Sequence, residues 1–154
     1  MRLRVISTPD GDGVEVYSYD KVDFVSPIKV DGSGAFIEIL VPYTPSFVDF
    51  YRSATEMVAT APARVGAPEP FVPITDDTLY TCVSATPNLY FTSIKHTRQK
   101  SHGVDEITLM NVGKVIMRDG HKVMPIAISI HHGLADGGDV NEFFAKVQHI
   151  LDTL

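Results

Sequence analysis

The chain opens with apolar and polar residues in short alternation, a spacing that puts every second side chain on one face of a β-strand. Leu3 and Val5 lead into a turn-forming run, Thr8-Pro9-Asp10-Gly11-Asp12-Gly13, and Val14 to Tyr19 resume with β-branched and aromatic residues. That order predicts a hairpin around a glycine-rich turn. A second pair follows, Val22 to Val30 and Ala35 to Leu40, separated by Asp31-Gly32-Ser33-Gly34. Glycine there supplies the backbone freedom a reversal needs.

The period then changes. Phe47, Phe50, Tyr51, Ala54, Met57 and Val58 recur at three- and four-residue spacing behind Thr44-Pro45, which reads as an N-cap with proline at the first helical position. A helix over about 45–60 is expected. Pro62, Gly66, Pro68, Pro70 and Pro73 end it in an irregular segment, too short and, at Phe71 and Val72, too apolar for a domain linker. The chain therefore reads as a single domain, 1–154.

Further strands are expected over Leu79 to Ala85, Leu89 to Lys95 and Ile107 to Met117. Arg118-Asp119-Gly120 turns the last of these into Lys122 to Ile130, where Ile126, Ile128 and Ile130 share one face and Ala127 and Ser129 the other. The chain ends in a helix whose apolar stripe runs through Val140, Phe143, Phe144, Val147, Ile150, Leu151 and Leu154, with Asp139 and Glu142 spaced as a capping box.

Composition narrows the class of protein. At 154 residues the chain can take roughly 70% of its extended surface out of water, enough for a core without staples. The net charge is −6 with no block of Lys or Arg, which gives no electrostatic reason to bind nucleic acid or a membrane surface. Cys82 is the one cysteine, so a disulfide within the chain and an all-thiolate zinc site are excluded and a reducing compartment is the natural reading. The first apolar run is too short for a secretory leader or a membrane span, so a soluble cytoplasmic protein is expected.

The candidate chemistry lies where the last strand ends. His131-His132-Gly133-Leu134-Ala135-Asp136-Gly137-Gly138 interrupts a buried-type strand at a strand-to-helix corner, and loops at such corners hold reactive groups open to a ligand. Imidazole takes up a proton near neutral pH and is the commonest general base. A packed or surface histidine and an Asp136 that simply caps the final helix fit the same residues. A metal site at His131, His132 and Asp136 fits less well, because neighbours on a strand point to opposite faces and no His-x-x-x-His pair is present.

The run His131 to Gly137, preceded by Met124-Pro125-Ile126-Ala127-Ile128, resembles the HHxxxDG signature of the chloramphenicol acetyltransferases, shared in looser form by the wider CoA-dependent acyltransferases. The rest agrees in order: Val83-Ser84-Ala85-Thr86-Pro87, then Tyr90-Phe91-Thr92-Ser93, then Gly113-Lys114 on the penultimate strand. The resemblance spans essentially the whole chain. It implies an α/β two-layer sandwich, a mixed, mostly antiparallel sheet with helices packed on it. It also implies a homotrimer whose active sites lie at subunit interfaces, acetyl-CoA as co-substrate, no metal, and a hydroxyl of chloramphenicol as acceptor.

Residue by residue, the resemblance implies His132 as the base that removes the acceptor hydroxyl's proton, and Ser84 as the donor to the tetrahedral oxyanion. It implies Asp136 as the residue that orients the histidine loop, Lys114 beside the CoA phosphates, and Phe71 as an aromatic of the acceptor pocket. Read without the resemblance, Ser84 is a strand-end serine, Lys114 an exposed strand charge and Phe71 a core residue. Asn111 falls near a family threonine that helps hold a water in the transition state, and Asn88 stands at a family tryptophan.

Measured against the family, the chain starts where its members are already under way. The resemblance thus implies loss of an N-terminal segment that carries helices, pocket aromatics and the arginine that pairs with the motif aspartate. Asp136 then needs another partner, either one of Arg2, Arg4, Arg52 and Arg98 or local backbone N–H groups, and an apolar sheet face stands to be uncovered. Two further readings follow: a non-catalytic relative that binds chloramphenicol, CoA or a protein partner, and an O-acetyltransferase with a different alcohol acceptor.

Overall fold

Both glycine-rich turns separate strands that pair. β1 (Leu3–Ser7) runs antiparallel to β2 (Val14–Ser18), and β3 (Asp23–Lys29) antiparallel to β4 (Phe36–Val41). The structure, a computed structural model, describes residues 3–7, 12–30, 32, 34, 36–66, 79–95 and 107–153.

Past β4 the chain enters α1 (Phe47–Thr60). Its cap is Ser46, not the expected Thr44. The Ser46 hydroxyl accepts the Asp49 N–H at 3.3 Å, while the Thr44 hydroxyl donates to the Ser46 carbonyl. Ser46 is favoured because it leaves Asp49 in the first turn, where a carboxylate meets unpaired N–H groups. A short 3-10 turn, Ala61–Arg64, follows, and the Arg64 guanidinium donates to the Glu38 carbonyl at 2.7 Å, tying the helix end back to β4.

The second half contributes β5 (Tyr80–Ala85), β6 (Leu109–Val112), β7 (Ile116–Arg118), β8 (His121–Val123), β9 (Ile126–Ser129) and α2 (Gly137–Thr153). β7 and β8 form their own hairpin, closed by Asp119 and Gly120 at φ of 52° and 81°, the two positive values that a two-residue hairpin turn demands. The central sheet has the order β4-β3-β5-β6-β9. Its two inner pairings, β3 with β5 and β5 with β6, are parallel; the outer two are antiparallel. The central sheet is mixed, as expected, with its parallel and antiparallel pairings in equal number; the antiparallel hairpins β1–β2 and β7–β8 are sheets of their own.

Strand alternation gives this sheet two different faces. Phe24 and Ile28 stand opposite Val41 and Ile37 on one face, where Phe50, Ala54 and Met57 of α1 pack on them; the Phe24 and Phe50 rings meet edge to face at 5.8 Å. Thr81, Met110, Ile128 and Ile130 continue that face towards Val140 and Phe143 of α2. Both helices thus cover one side, which makes the second layer of the expected sandwich. The stripe predicted on α2 is only partly covered within the chain: Ile150 and Leu151 stay 57% and 51% exposed. Among the described residues no helix is long and apolar enough to cross a membrane.

Three expected strands change. Leu89 to Lys95 is irregular; Ile107 to Met117 breaks into β6 and β7, and Lys122 to Ile130 into β8 and β9. Both breaks centre on one contact, in which the Gly113 N–H donates to the Pro125 carbonyl at 2.9 Å. Proline lacks the N–H a ladder needs. A Cβ at position 113 would come within 2.6 Å of the Pro125 ring and 2.8 Å of both the Leu89 carbonyl and the Phe91 ring. Gly113→Ala is therefore expected to destabilise the fold by about 1–3 kcal/mol, read as a lower urea midpoint at unchanged m-value.

Candidate active site

Ile130 ends the strand run and the chain turns through the two histidines into α2. The Leu134 N–H closes the turn on the His131 carbonyl at 2.9 Å. The His131 ring folds over Gly133, whose N–H donates to its Nδ1 at 3.1 Å. A Cβ on residue 133 would lie 3.0 Å from that ring, so glycine leaves the ring its place.

The two imidazoles hold opposite hydrogen-bond states. His131 Nδ1 faces an N–H and must accept, which puts the proton of the neutral ring on Nε2. His132 Nδ1 faces the Ala135 carbonyl at 3.2 Å, and a carbonyl can only accept. In the neutral ring Nδ1 of His132 therefore carries the proton and Nε2 keeps its lone pair. The His132 side chain is also exposed. Of the pair, His132 is the one whose Nε2 can take a proton from an incoming group.

Asp136 spends its carboxylate on the helix start. Oδ1 accepts the N–H groups of Gly138 at 2.7 Å and Asp139 at 3.1 Å, and its carbonyl accepts the Val140 N–H at 3.1 Å. Asp139 Oδ2 returns the bond by accepting the Asp136 N–H at 2.9 Å. The capping box is therefore Asp136 with Asp139, not Asp139 with Glu142 as expected. Glu142 pairs instead with Lys146 one turn on, whose hydrogen bond and charge hold its carboxyl below the usual carboxylate range. Local backbone thus supplies the Asp136 partner, one of the two alternatives read from the sequence.

The other predicted residues lie elsewhere. Ser84 on β5 stands opposite Asn111 on β6, and Asn111 opposite Ala127 on β9. These positions share the face away from the helices, where Asn111 is only 4% exposed and Ser84 half-buried. Ser84 is thus level with Ala127, while His132 lies beyond the far end of β9, and the two strand steps from Ala127 to Ser129 alone cover about 7 Å. Lys114 is exposed at the opposite end of the sheet, its N–H donated to the Leu89 carbonyl at 2.8 Å. Phe71 lies outside the described residues.

One copy therefore gathers His132, Asp136 and Asp139 into one corner and Ser84 with Asn111 into another. Two strand positions before Ser84, the half-buried Cys82 thiol is pushed up by burial and then by the charge of Glu38, so it stays protonated at neutral pH and is no nucleophile. A cleft of about 550 Å³ between α2 and the sheet is lined mainly by apolar groups such as Met110, Ile128, Leu134 and Phe143. It opens on the helix side, the face opposite Ser84. The Ala135 carbonyl, which selects the His132 tautomer, left no sign in the side-chain pattern; the i, i+3 spacing of Asp136 and Asp139 did carry a signal of the cap.

The family model for chloramphenicol acetyltransferase matches residues 8–148. The chain belongs to the chloramphenicol acetyltransferase family. It is similar to the chloramphenicol acetyltransferase of Bacillus pumilus, with 24% identity over 121 residues, 76% of this chain and 51% of that protein. A solved chloramphenicol acetyltransferase superposes with a TM-score of 0.74 at 38% identity, covering 96% of this chain and 67% of that one. The dihydrolipoamide acetyltransferase of Azotobacter vinelandii shares the fold at 15% identity and a TM-score of 0.64, over 96% of this chain and 59% of its own. The chain spans about half the length of the curated chloramphenicol acetyltransferase it matches.

Proposed function

We propose that the chain transfers acetyl from acetyl-CoA to a hydroxyl of chloramphenicol, with His132 as general base. The observation that carries this reading is the Nδ1 bond to the Ala135 carbonyl, which leaves an exposed Nε2 lone pair. In the reaction Nε2 takes the hydroxyl proton as the oxygen attacks the thioester carbonyl. The tetrahedral oxyanion collapses, the C–S bond breaks, and the proton passes to the departing CoA sulfur. Ser84 donates to the oxyanion, Lys114 meets the CoA phosphates, and Asn111 and Phe71 contribute to the acceptor pocket. Asp136 holds the loop by capping α2.

The separation of Ser84 from His132 supports a site built between copies in a homotrimer, the base from one chain facing the serine of the next. Apolar side chains exposed on α1 (Phe47, Val48, Tyr51) and α2 (Ile150, Leu151) are surface that an assembly can bury. A cytoplasmic setting, where Cys82 stays reduced, goes with this reading. A second reading keeps the chemistry and changes the acceptor. It is favoured by the amide of Asn111, buried where the family resemblance puts a threonine.

Free-thiol release tests both. Thiol is expected from acetyl-CoA only when chloramphenicol is added. Thiol release with another alcohol but not with chloramphenicol would move the acceptor; binding of either ligand with no thiol release would leave a binding protein.

A further inference from the structure

We propose that Asp139 is a positioning residue for His132, acting through the Ala135–Asp136 peptide bond to decide which imidazole nitrogen carries the proton. The proposal rests on the reading of His132 as the base. A trans peptide unit is planar, so its carbonyl and its N–H point in opposite directions, and fixing one fixes the other. Here both ends are held. The carbonyl accepts His132 Nδ1–H at 3.2 Å, and the N–H donates to Asp139 Oδ2 at 2.9 Å.

A carboxylate on the N–H does two things. It stops the peptide from rotating its oxygen away from the imidazole, and it polarises the amide so that the carbonyl becomes a stronger acceptor. Asp139 is itself held, because its own N–H donates to Asp136 Oδ1 at 3.1 Å and the next residue, Val140, donates to the Asp136 carbonyl. The first turn of α2 is thus a rigid mount whose last adjustable contact is the His132 ring. Without the fixed carbonyl, neutral imidazole is free to place its proton on Nε2, as His131 does where its Nδ1 meets an N–H. That form has no lone pair facing outward at Nε2 and cannot take the acceptor's proton.

The test uses the full chain with 15N-labelled histidine, observed by NMR at mildly alkaline pH, beside steady-state kinetics. In the parent, His132 is expected as the Nδ1–H form. Asp139→Ala should shift it towards Nε2–H and lower kcat by roughly tenfold, with KM for both substrates unchanged. Asp139→Asn, whose amide oxygen still accepts the Asp136 N–H, should restore both the tautomer and the rate. Ser46→Ala, which removes a comparable helix cap on α1, should lower the melting temperature and change neither. Retention of the Nδ1–H form in Asp139→Ala would overturn the proposal whatever the rate. A shifted tautomer at unchanged kcat would uphold the link through the peptide and remove His132 from the role of base.

Discussion

His132→Ala should lower kcat for acetyl transfer by about 10²- to 10⁴-fold, the usual contribution of a positioned general base. The side chain is exposed and its one hydrogen bond runs to a carbonyl three residues away, so its loss should move unfolding stability by no more than about 0.5 kcal/mol. The measurement is thiol release from acetyl-CoA at saturating chloramphenicol, paired with urea unfolding of the same samples. A large rate loss at constant stability assigns the residue to the chemistry. Equal rates in the two proteins would remove it. His131 is the internal comparison: its Nδ1 is occupied by the Gly133 N–H, so changes there should act on the loop and on stability more than on the proton transfer.

The second large effect separates a site within one chain from a site between chains. If Ser84 donates to the oxyanion as proposed, Ser84→Ala should cost about 10²- to 10³-fold in kcat. Each single variant, His132→Ala or Ser84→Ala, is then nearly inactive alone. Co-expressed in equal amounts under different tags and assembling at random, they should give one such interface in every mixed trimer, so that about a quarter of all interfaces join an intact histidine to an intact serine, with activity restored in that proportion. Mixed oligomers that stay inactive would show that both residues serve the same chain's site, against the separation that the β5–β6–β9 register imposes.

Much of the sheet was legible because residue type alternates along its strands. On β4 burial follows the same period, with Ile37, Ile39 and Val41 buried, and on β9 Ile126 and Ile128 share the helix-side face, while the hairpins around Gly32–Gly34 and Asp119–Gly120 sit where turn residues cluster. Leu89 to Lys95 has strand-like residues but follows directly on β5, a strand whose two edges are already taken by β3 and β6. Its backbone bonds go instead to the strand ends, Leu89 N–H to the Thr86 carbonyl and Lys114 N–H to the Leu89 carbonyl, with Phe91 buried against Gly113. Local pattern does not report whether a ladder has room.

The candidate site was legible to the extent that it is made of side chains. The His-His-x-x-x-Asp spacing marked the corner, but adjacency alone could not say which histidine is free to act. That choice is made by one backbone carbonyl and one backbone N–H, groups every residue carries and no sequence pattern displays. Asp136 shows the converse: of the two kinds of partner the sequence left open, a distant arginine or local backbone, Oδ1 takes the local one, within three residues.

The parallel placement of β5 has a consequence for how the chain finds this structure. Hairpins such as β7–β8 close over a few residues, whereas Cys82 must meet Val25 and Leu109, each tens of positions away. Loop closure over such spans has to precede any reward from pairing, so the centre of the sheet assembles after its margins. Newly made chains therefore spend their earliest moments with the Ser84 strand unzipped and its apolar neighbours open to misassociation, and slower synthesis or cooler growth should raise the soluble yield.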